Sequence, residues 1–552
     1  MTWQAPGPGT WERDQSHFDR TVTPLMVDLM EAAAPRGIRE GFDLTGAPLA
    51  TMDVRFVHGQ MYRRLVPIIG GSGRGPQTPP PAWLVRAVFA VHPRLRRRVR
   101  TAESAMVDKT WSDEADRWDD TWKPALIATN RRLAAFDVVG ATSAELADHL
   151  ADTLGHAERA MVLHFRLHIS DLGPIALLLD HANDWQLDAA TVMSALAGSS
   201  PATTAPRDAL RPLAAELAAH GVTPTSLDDV RAASDLAATL LDDYMREFGT
   251  RLTTGYDVTD LTLAELPELI LSALSDERLD AQTTAAQEAA QRGAEALEHL
   301  CSEVPPADRE LFDELVDDAR RLYGLRDENG PITAEWPCGV LRTGLLEAGR
   351  RLVAAGRLHA VDHVFDLDAV EVVGVLRGEP GPRADAVATR HRNRLARAHT
   401  DSPPYLGPAP LEPDLDSLPE AMRRMMRMSV NVVSLLEADD AAARDGDALS
   451  GTGIGTTPYR GTARVVADAD EALERCRPGD VVVTRFTAPT FNSVLALAGA
   501  VVTEHGGLLC HTAVIARELG IAAVVGVAGA LDIEDGVDVE VDPVAGVVSV
   551  VG

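Results

Sequence analysis

Between Pro80 and about Thr400, apolar residues recur every three or four positions in stretches rich in Ala, Leu, Glu and Arg. Ser143-Ala-Glu-Leu-Ala-Asp-His-Leu-Ala-Asp-Thr-Leu154 and Leu341-Arg-Thr-Gly-Leu-Leu-Glu-Ala-Gly-Arg-Arg-Leu352 show the pattern. That period puts the apolar side chains on one face of a helix, so a large, mainly helical domain is expected here. The pattern changes near Leu449. Short apolar runs bounded by Gly, Pro and Asp then predict strand Thr462–Val466, helix Ala469–Arg475, a turn over Arg477-Pro-Gly-Asp480, strand Val481–Arg485 and helix Phe491–Leu497. Ala500-Val-Val-Thr503 reads as another strand and Ala513 to Leu519 as a short helix with Gly520 as its left-handed cap. Val537–Val541 with Gly546–Val550 reads as a closing hairpin.

Proline- and glycine-rich stretches mark the joints. Gly70-Gly-Ser-Gly-Arg-Gly-Pro-Gln-Thr-Pro-Pro-Pro81 is a loop or linker, and no Gly-Lys-Ser/Thr follows to make it a P-loop. Ser402-Pro-Pro-Tyr-Leu-Gly-Pro-Ala-Pro-Leu-Glu-Pro413 leads into a helix around Leu418–Leu436, and the acidic, Ala-rich Glu437–Asp447 follows. Four parts are expected: an N-terminal segment 1–79 packing on the helical domain, the helical domain 80–400, a linker and connecting helix 401–448, and a C-terminal domain 449–552. Gly451-Thr-Gly-Ile-Gly455 superficially has the glycines of a dinucleotide loop, but a strand rather than a helix is expected after it.

A chain of 552 residues buries more than one core. Its formal net charge of −30 argues against a nucleic-acid partner, because a phosphate backbone must be neutralised by lysine and arginine. Solubility is the plain explanation of that charge. Arginine runs at Arg94, Arg96, Arg97, Arg98 and Arg100, and at Arg390, Arg392, Arg394 and Arg397, read as solvated helical faces, with phosphate or acidic partners as the other reading. Cys301, Cys338, Cys476 and Cys510 have neither metal-ligand spacing nor the look of a disulfide framework, so no metal site is expected and a cytoplasmic setting fits. The N-terminal residues lack a charged-then-apolar leader, and no apolar run is read as long enough to span a bilayer, so no membrane partner is expected.

The chemistry concentrates in Thr503-Glu-His-Gly-Gly-Leu-Leu-Cys-His-Thr-Ala-Val-Ile-Ala-Arg-Glu-Leu-Gly520. His511 sits behind a glycine pair and opens a short helix, where unpaired N–H groups and the positive end of the helix dipole stabilise an anion carried on or near the imidazole. A phosphoryl group is the natural candidate. A structural histidine capping a helix is the competing explanation. His505 reads as structural or solvent-facing, and Cys510 as packing and orientation rather than a nucleophile.

This segment resembles the phosphohistidine, or swivelling, domain of the phosphoenolpyruvate-utilising enzymes, a family that includes phosphoenolpyruvate synthase and rifampin phosphotransferase. Gly506, Gly507, Cys510, His511, Ala513, Ala516, Arg517, Glu518, Leu519, Gly520 and Ile521 carry the likeness. The resemblance implies a multidomain α + α/β fold: a large, mainly helical putative substrate-binding domain followed by a C-terminal β/β/α swivelling domain. It implies His511 as the phosphoryl carrier, supported by Thr503, Gly506, Gly507, Cys510, Thr512 and Arg517.

A weaker likeness runs through residues 10–400, at Trp11-Glu-Arg-Asp14, Val22-Thr-Pro-Leu25, Glu247-Phe-Gly-Thr-Arg251, Leu325-Arg-Asp-Glu328, Gly349-Arg-Arg-Leu-Val-Ala-Ala-Gly356 and Asp362-His-Val-Phe-Asp-Leu367. Two departures stand out there. Gly249-Thr250-Arg251 lacks the family's histidine, and Arg326-Asp327-Glu328-Asn329-Gly330 keeps the arginine but loses a lysine. Arg251 and Arg326 are candidate phosphate clamps through bidentate hydrogen bonds, with structural salt bridges as the alternative. His164 and His168, one helical turn apart, are candidates for a general base, and a metal pair or a packed face explains their spacing equally well.

The family's ATP-grasp-type nucleotide-binding domain is not seen in the chain. The expectation is therefore that Mg²⁺ and ATP are bound by a separate ATP-grasp-type protein, and that His511 carries its phosphoryl group to a hydroxyl or enol of a small-molecule acceptor in the helical domain. The alternative is a non-catalytic binding or regulatory paralogue that has lost phosphotransfer.

Overall fold

A computed structural model describes residues 3–14, 18, 21–68, 81–275, 285–397, 402–410, 414–436, 448–487 and 491–551. The chain forms two compact units. The first comprises 1–171, 256–260 and 329–427, and the second 172–255, 261–328 and 428–552. The stretch 80–400, expected as one helical domain, is thus shared between them. The periodicity does report helices throughout, but a 3.6-residue repeat carries no information about which helices share a core.

The first unit holds a four-stranded antiparallel sheet that the sequence reading did not foresee within the N-terminal segment. Strands β1 (Trp11–Arg13), β2 (Leu49–Val57), β3 (Gln60–Pro67) and β4 (Tyr405–Leu406) lie in the order β2-β3-β1-β4. The β2–β3 hairpin turns on His58 and Gly59, both at positive φ (54° and 83°), as a two-residue turn matching strand twist requires. β4 comes from the proline-rich stretch expected to be linker. Its backbone pairs with β1, and Pro403 accepts from the Tyr62 hydroxyl at 2.8 Å. Prolines suit such an edge because they have no N–H to leave unpaired.

Helices supply the core of this unit. Pro24–Thr45 is N-capped by Thr23, and Ser143–Ser170 begins with a reciprocal capping box between Thr142 and Glu145. The two helices approach closely at Gly37 and Gly41, where an added Cβ would meet Val162 O at 2.2 Å and Ile169 Cβ at 2.6 Å. Leu25, Leu146, Leu150, Leu341, Leu345 and Phe365 pack together as the buried centre. Burial on this scale, at about 25 cal/mol per Å² of apolar surface, holds the helices together. The stretch Ser143–Asp184 is, by length and composition alone, apolar enough to cross a membrane, contrary to the sequence expectation. Most of its apolar window is buried inside the protein, as in the core helix of a globular fold.

The second unit combines helices, among them Asp235–Phe248 and Ala285–Glu303, with an eight-stranded mixed sheet. The strands are β5 (Ala448–Ser450), β6 (Thr452–Ile454), β7 (Tyr459–Val465), β8 (Val481–Thr484), β9 (Ala500–Thr503), β10 (Ala522–Val525), β11 (Asp538–Asp542) and β12 (Val547–Val550). Their order is β5-β12-β11-β7-β8-β9-β10-β6, with β7 to β10 parallel and the flanking pairs antiparallel. The fully buried runs Val481–Thr484, Ala500–Thr503 and Ala522–Val525 explain the parallel centre, since strands covered on both faces are apolar throughout. Cores lie on both faces, one built around Val482, Val501, Ile515 and Phe491, the other around Val481, Val502, Val524 and Val539.

Within the glycine-rich run 451–455, Thr452–Ile454 forms the edge strand β6, and the strand expected after the run follows as β7. An added Cβ at Gly453 would lie 1.9 Å from Pro543 O, so its glycine serves close backbone approach. The expected linkers over 70–80 and 437–447 lie outside the described residues.

Candidate active site

β9 ends at Thr503, and the chain turns through Gly506 and Gly507 before entering the helix His511–Leu519. Gly506 has φ +128°, and an added Cβ would meet Cys510 Sγ at 2.8 Å, so both conformation and space require glycine. Cys510 is the N-cap in extended conformation (φ −66°, ψ 161°), which places His511 as the first helical residue. Gly520 closes the helix at φ 69°.

The imidazole of His511 is bonded at both nitrogens. Nδ1 lies 2.8 Å from Thr487 Oγ1 and Nε2 lies 2.8 Å from Asn492 Oδ1. Thr487 Oγ1 is also 2.7 Å from Thr512 Oγ1, so two hydroxyls form a chain leading away from the ring. Each hydroxyl has one proton, and the chain therefore has two self-consistent settings. In one, Nε2–H donates to Asn492 and Thr487 donates to Nδ1 while accepting from Thr512. In the other, Nδ1–H donates to Thr487 and Thr487 donates to Thr512. Nε2 then presents a lone pair, and the Asn492 amide must turn its NH₂ toward it.

Protein atoms crowd the ring, and among the described residues no carboxylate is hydrogen-bonded to it. Burial pulls its pKa down to about 3, so the imidazole is neutral at physiological pH. A neutral imidazole keeps a lone pair for attack on an electrophile. Cys510 differs. Burial pushes its thiol up, which keeps it protonated and a poor nucleophile, in keeping with a packing role.

The supporting residues named from sequence fall around this ring in different ways. Thr512 joins the hydroxyl chain. Arg517 reaches back from the last helical turn to donate to Leu508 O at 2.7 Å, tying the loop to its own helix. Thr503 Oγ1 is buried without a hydrogen-bond partner, as is Thr484 Oγ1 on the neighbouring strand in register with it. Leaving such a hydroxyl unpaired costs roughly 1–3 kcal/mol. His505 is about half exposed (52%) and lies 3.9 Å from Glu504, away from this network.

Thr487 and Asn492 were missed from sequence. Both follow β8, in Thr487-Ala-Pro-Thr-Phe-Asn492, a polar run just past a buried strand. The available signal was position alone, because ligands of open α/β sheets gather beyond the carboxyl ends of parallel strands.

The far end of the His511 helix is anchored within the second unit. Gly198 N donates to both Glu518 carboxylate oxygens at 3.1 and 3.2 Å, and Arg292 Nη2 donates to the carbonyls of Arg517 and Glu518 at 2.9 and 3.2 Å. A guanidinium on the last carbonyls complements the negative end of the helix dipole. Burial, with Asp327 adding to it, pushes Glu518 up to about 8. Leu509 N donates to Leu435 O at 2.8 Å, which fastens the loop to the helix Glu420–Leu436.

The other candidates are held by other elements. His164 and His168 do face the same side: their Nε2 atoms are 3.0 Å apart, with His164 Nδ1 on Thr333 Oγ1 and His168 Nδ1 on Asp171 Oδ2. Both belong to the first unit. Arg251 belongs to the second, where it donates to Glu247 O at 3.0 Å and Glu247 Oε1 at 3.2 Å and stacks over Phe248. Arg326 lies half-buried on the helix Arg309–Gly330, near enough to Tyr323 to favour its phenolate.

Comparison with known proteins gives this arrangement a context. Residues 476–546 match the PEP-utilising enzyme, mobile domain, and residues 167–327 match the rifampicin phosphotransferase fourth domain. Two segments of the chain are thus similar to domains of PEP-utilising enzymes. The rifampicin phosphotransferase of Streptomyces sviceus is 30% identical over 297 residues, covering 52% of this chain and 31% of that protein. Phosphoenolpyruvate synthase of Escherichia coli is 47% identical over 75 residues, 14% of this chain and 9% of that protein. Chondramide synthase of Chondromyces crocatus is 25% identical over 584 aligned residues, 100% of this chain and 14% of that protein. The chain spans less than a third of the length of each of these relatives.

Proposed function

We propose that His511 carries a phosphoryl group from an ATP-grasp-type nucleotide-binding protein, which binds ATP with Mg²⁺, to a hydroxyl or enol of a small-molecule acceptor held by the helical part. The observation that carries this reading is the neutral imidazole at a helix N-terminus, with a hydroxyl chain on one nitrogen and an amide on the other.

In the first transfer a ring nitrogen lone pair attacks phosphorus, and the P–O bond to the leaving group breaks with its electron pair. The new N–P bond makes the remaining ring N–H more acidic. With Nδ1–H on Thr487 and Thr512 beyond it, that proton is hydrogen-bonded throughout and Nε2 is the attacking atom. In the second transfer the acceptor oxygen attacks phosphorus, and the N–P electron pair returns to the imidazole. Dipole and N–H groups at the helix start favour the anion while it is carried. A cytoplasmic setting for this chemistry is part of the proposal.

A second reading, a binding or regulatory paralogue without phosphotransfer, draws support from Arg251, whose guanidinium is engaged by Glu247 and Phe248. One experiment separates the two. The chain is incubated with β- and γ-labelled ATP, with and without an ATP-grasp protein encoded beside it and shown to hydrolyse ATP. Acid-labile label on the wild type that is absent from His511→Ala supports carriage. No label in any combination overturns it in favour of the paralogue.

A further inference from the structure

In the first unit, well away in sequence from His511, a second group of histidines and carboxylates comes together. The short 3-10 segment Val361–Asp366 presents Asp362 and His363, and the helix Ala384–Leu395 presents His391. Each residue offers one ligand atom, and the three atoms lie within 4.8 Å of one another. From this juxtaposition we infer that Asp362, His363 and His391 form a binding site for a divalent transition cation of the zinc class, with an open position toward solvent.

Three features of the surroundings support it. His391 Nδ1 lies 2.8 Å from Asp366 Oδ2, which fixes the proton on that nitrogen and leaves Nε2 with a lone pair, 3.4 Å from Asp362 Oδ2. A carboxylate on the far nitrogen is the usual second partner of a metal-bound histidine, orienting the ring and raising its basicity. His363 Nδ1 is buried without a hydrogen-bond partner, and its ring centroid is 4.8 Å from that of His391. Such a nitrogen is an unmet polar group unless something binds the ring. Asp362 is 57% exposed on its side chain, which leaves a solvent-facing side for water as a fourth ligand.

Two nitrogens and one carboxylate oxygen suit zinc, with bonds of about 2.0–2.2 Å. Bonds of that length place ligand atoms about 3.3–3.5 Å apart in a tetrahedron, so the present spacing closes with a movement of about an ångström.

The nearby charges allow a cation. Arg394 is spent on Asp366, donating at 2.9 and 3.0 Å, and its Nη2 is 3.5 Å from His391 Nδ1. Arg390 is paired with Glu371 and donates to Asp366 O. His359, on the approach to the segment, is hydrogen-bonded to Asp385 at 2.8 Å.

The test is a Co²⁺ titration of the tag-free full chain, followed by visible absorption and competed with Zn²⁺. The expected result is one Co²⁺ per chain with the d–d bands of a four-coordinate ion, displaced by Zn²⁺. Asp362→Ala, at an exposed position that leaves the fold intact, and His363→Ala each abolish those bands. Asp366→Asn, which alters the outer partner of His391 and also its ion pair with Arg394, weakens binding about 10- to 100-fold in a chain shown by circular dichroism to be folded. No Co²⁺ bound by the folded wild type, or bands that persist in Asp362→Ala and His363→Ala, would overturn the assignment.

Discussion

Two histidines of this chain, His511 and His391, meet opposite surroundings. At His511 the described partners are a hydroxyl and an amide, with no carboxylate bonded to the ring among the described residues, and burial drives its pKa down to about 3. At His391 both nitrogens face carboxylates, Asp366 on one side and Asp362 on the other. Neutral partners leave an imidazole as a nucleophile whose proton can be passed along hydroxyls. Carboxylates on both sides instead suit a bound metal ion at that ring. On the two proposals the same side chain serves attack in one place and ligation in the other, and the difference lies in its partners.

Removing the nucleophile should have the largest effect on this contrast. His511→Ala is expected to eliminate acid-labile phosphorylation entirely, measured with labelled ATP and the ATP-grasp partner, while leaving Co²⁺ binding at Asp362, His363 and His391 unchanged. Next is the hydroxyl chain. Thr487→Val keeps the volume but removes proton passage, and phosphorylation in single-turnover assays should slow by about 100-fold, within the range of general acid–base contributions, with Thr487→Ser restoring most of it. An equal rate in Thr487→Val would show that the hydroxyl only packs.

Backbone geometry comes third. Gly506→Ala places a methyl 2.8 Å from Cys510 Sγ at a φ of +128°, and should destabilise the chain by roughly 1–3 kcal/mol in denaturant unfolding. Phosphorylation should fall with it, because His511 would no longer be held against Thr487 and Asn492.

The smallest effect concerns pH. Glu518 in the fold sits at about 8 against an ordinary 4.5, so the folded chain binds this proton more tightly than the unfolded chain. Its contribution to stability is complete at pH values below about 4.5 and is lost as pH rises through 8. His511 has the opposite slope, because its folded value of about 3 lies below 6.5: stability is lost as pH falls from 6.5 toward 3. Glu518→Gln should therefore flatten the decline in Tm between pH 5.5 and 8.5 while leaving the acid limb in place. An unchanged alkaline slope in Glu518→Gln would mean that the carboxyl is already ionised in the fold.

The C-terminal part was largely legible from sequence because its signals are local. The helix Ala469–Arg475 was read to the residue, Gly520 caps where expected, and the strands after Arg477-Pro-Gly-Asp480 and before the glycine pair fall within a residue of their expected ends. The N-terminal sheet was only partly legible. Its strand Leu49–Val57 does alternate apolar and polar residues from Ala50 to Phe56, a signal the helical emphasis passed over, whereas its fourth member is two residues of a proline-rich run whose partner is nearly four hundred positions earlier, at Trp11 and Glu12. At 451–455 the glycines were rightly not read as a dinucleotide loop, and the structure shows Gly453 in close backbone approach to Pro543.

The sequence by itself determined that helices fill the middle of the chain, that a helix begins at His511, and that glycines set that histidine in place, since each follows from short-range periodicity and backbone conformation. Only the tertiary structure decided what touches the rings. Thr487 lies 24 positions from His511, and Asp366 lies 25 positions from His391. A side chain's protonation and reactivity depend on such partners and on burial, and both arise when separate elements pack.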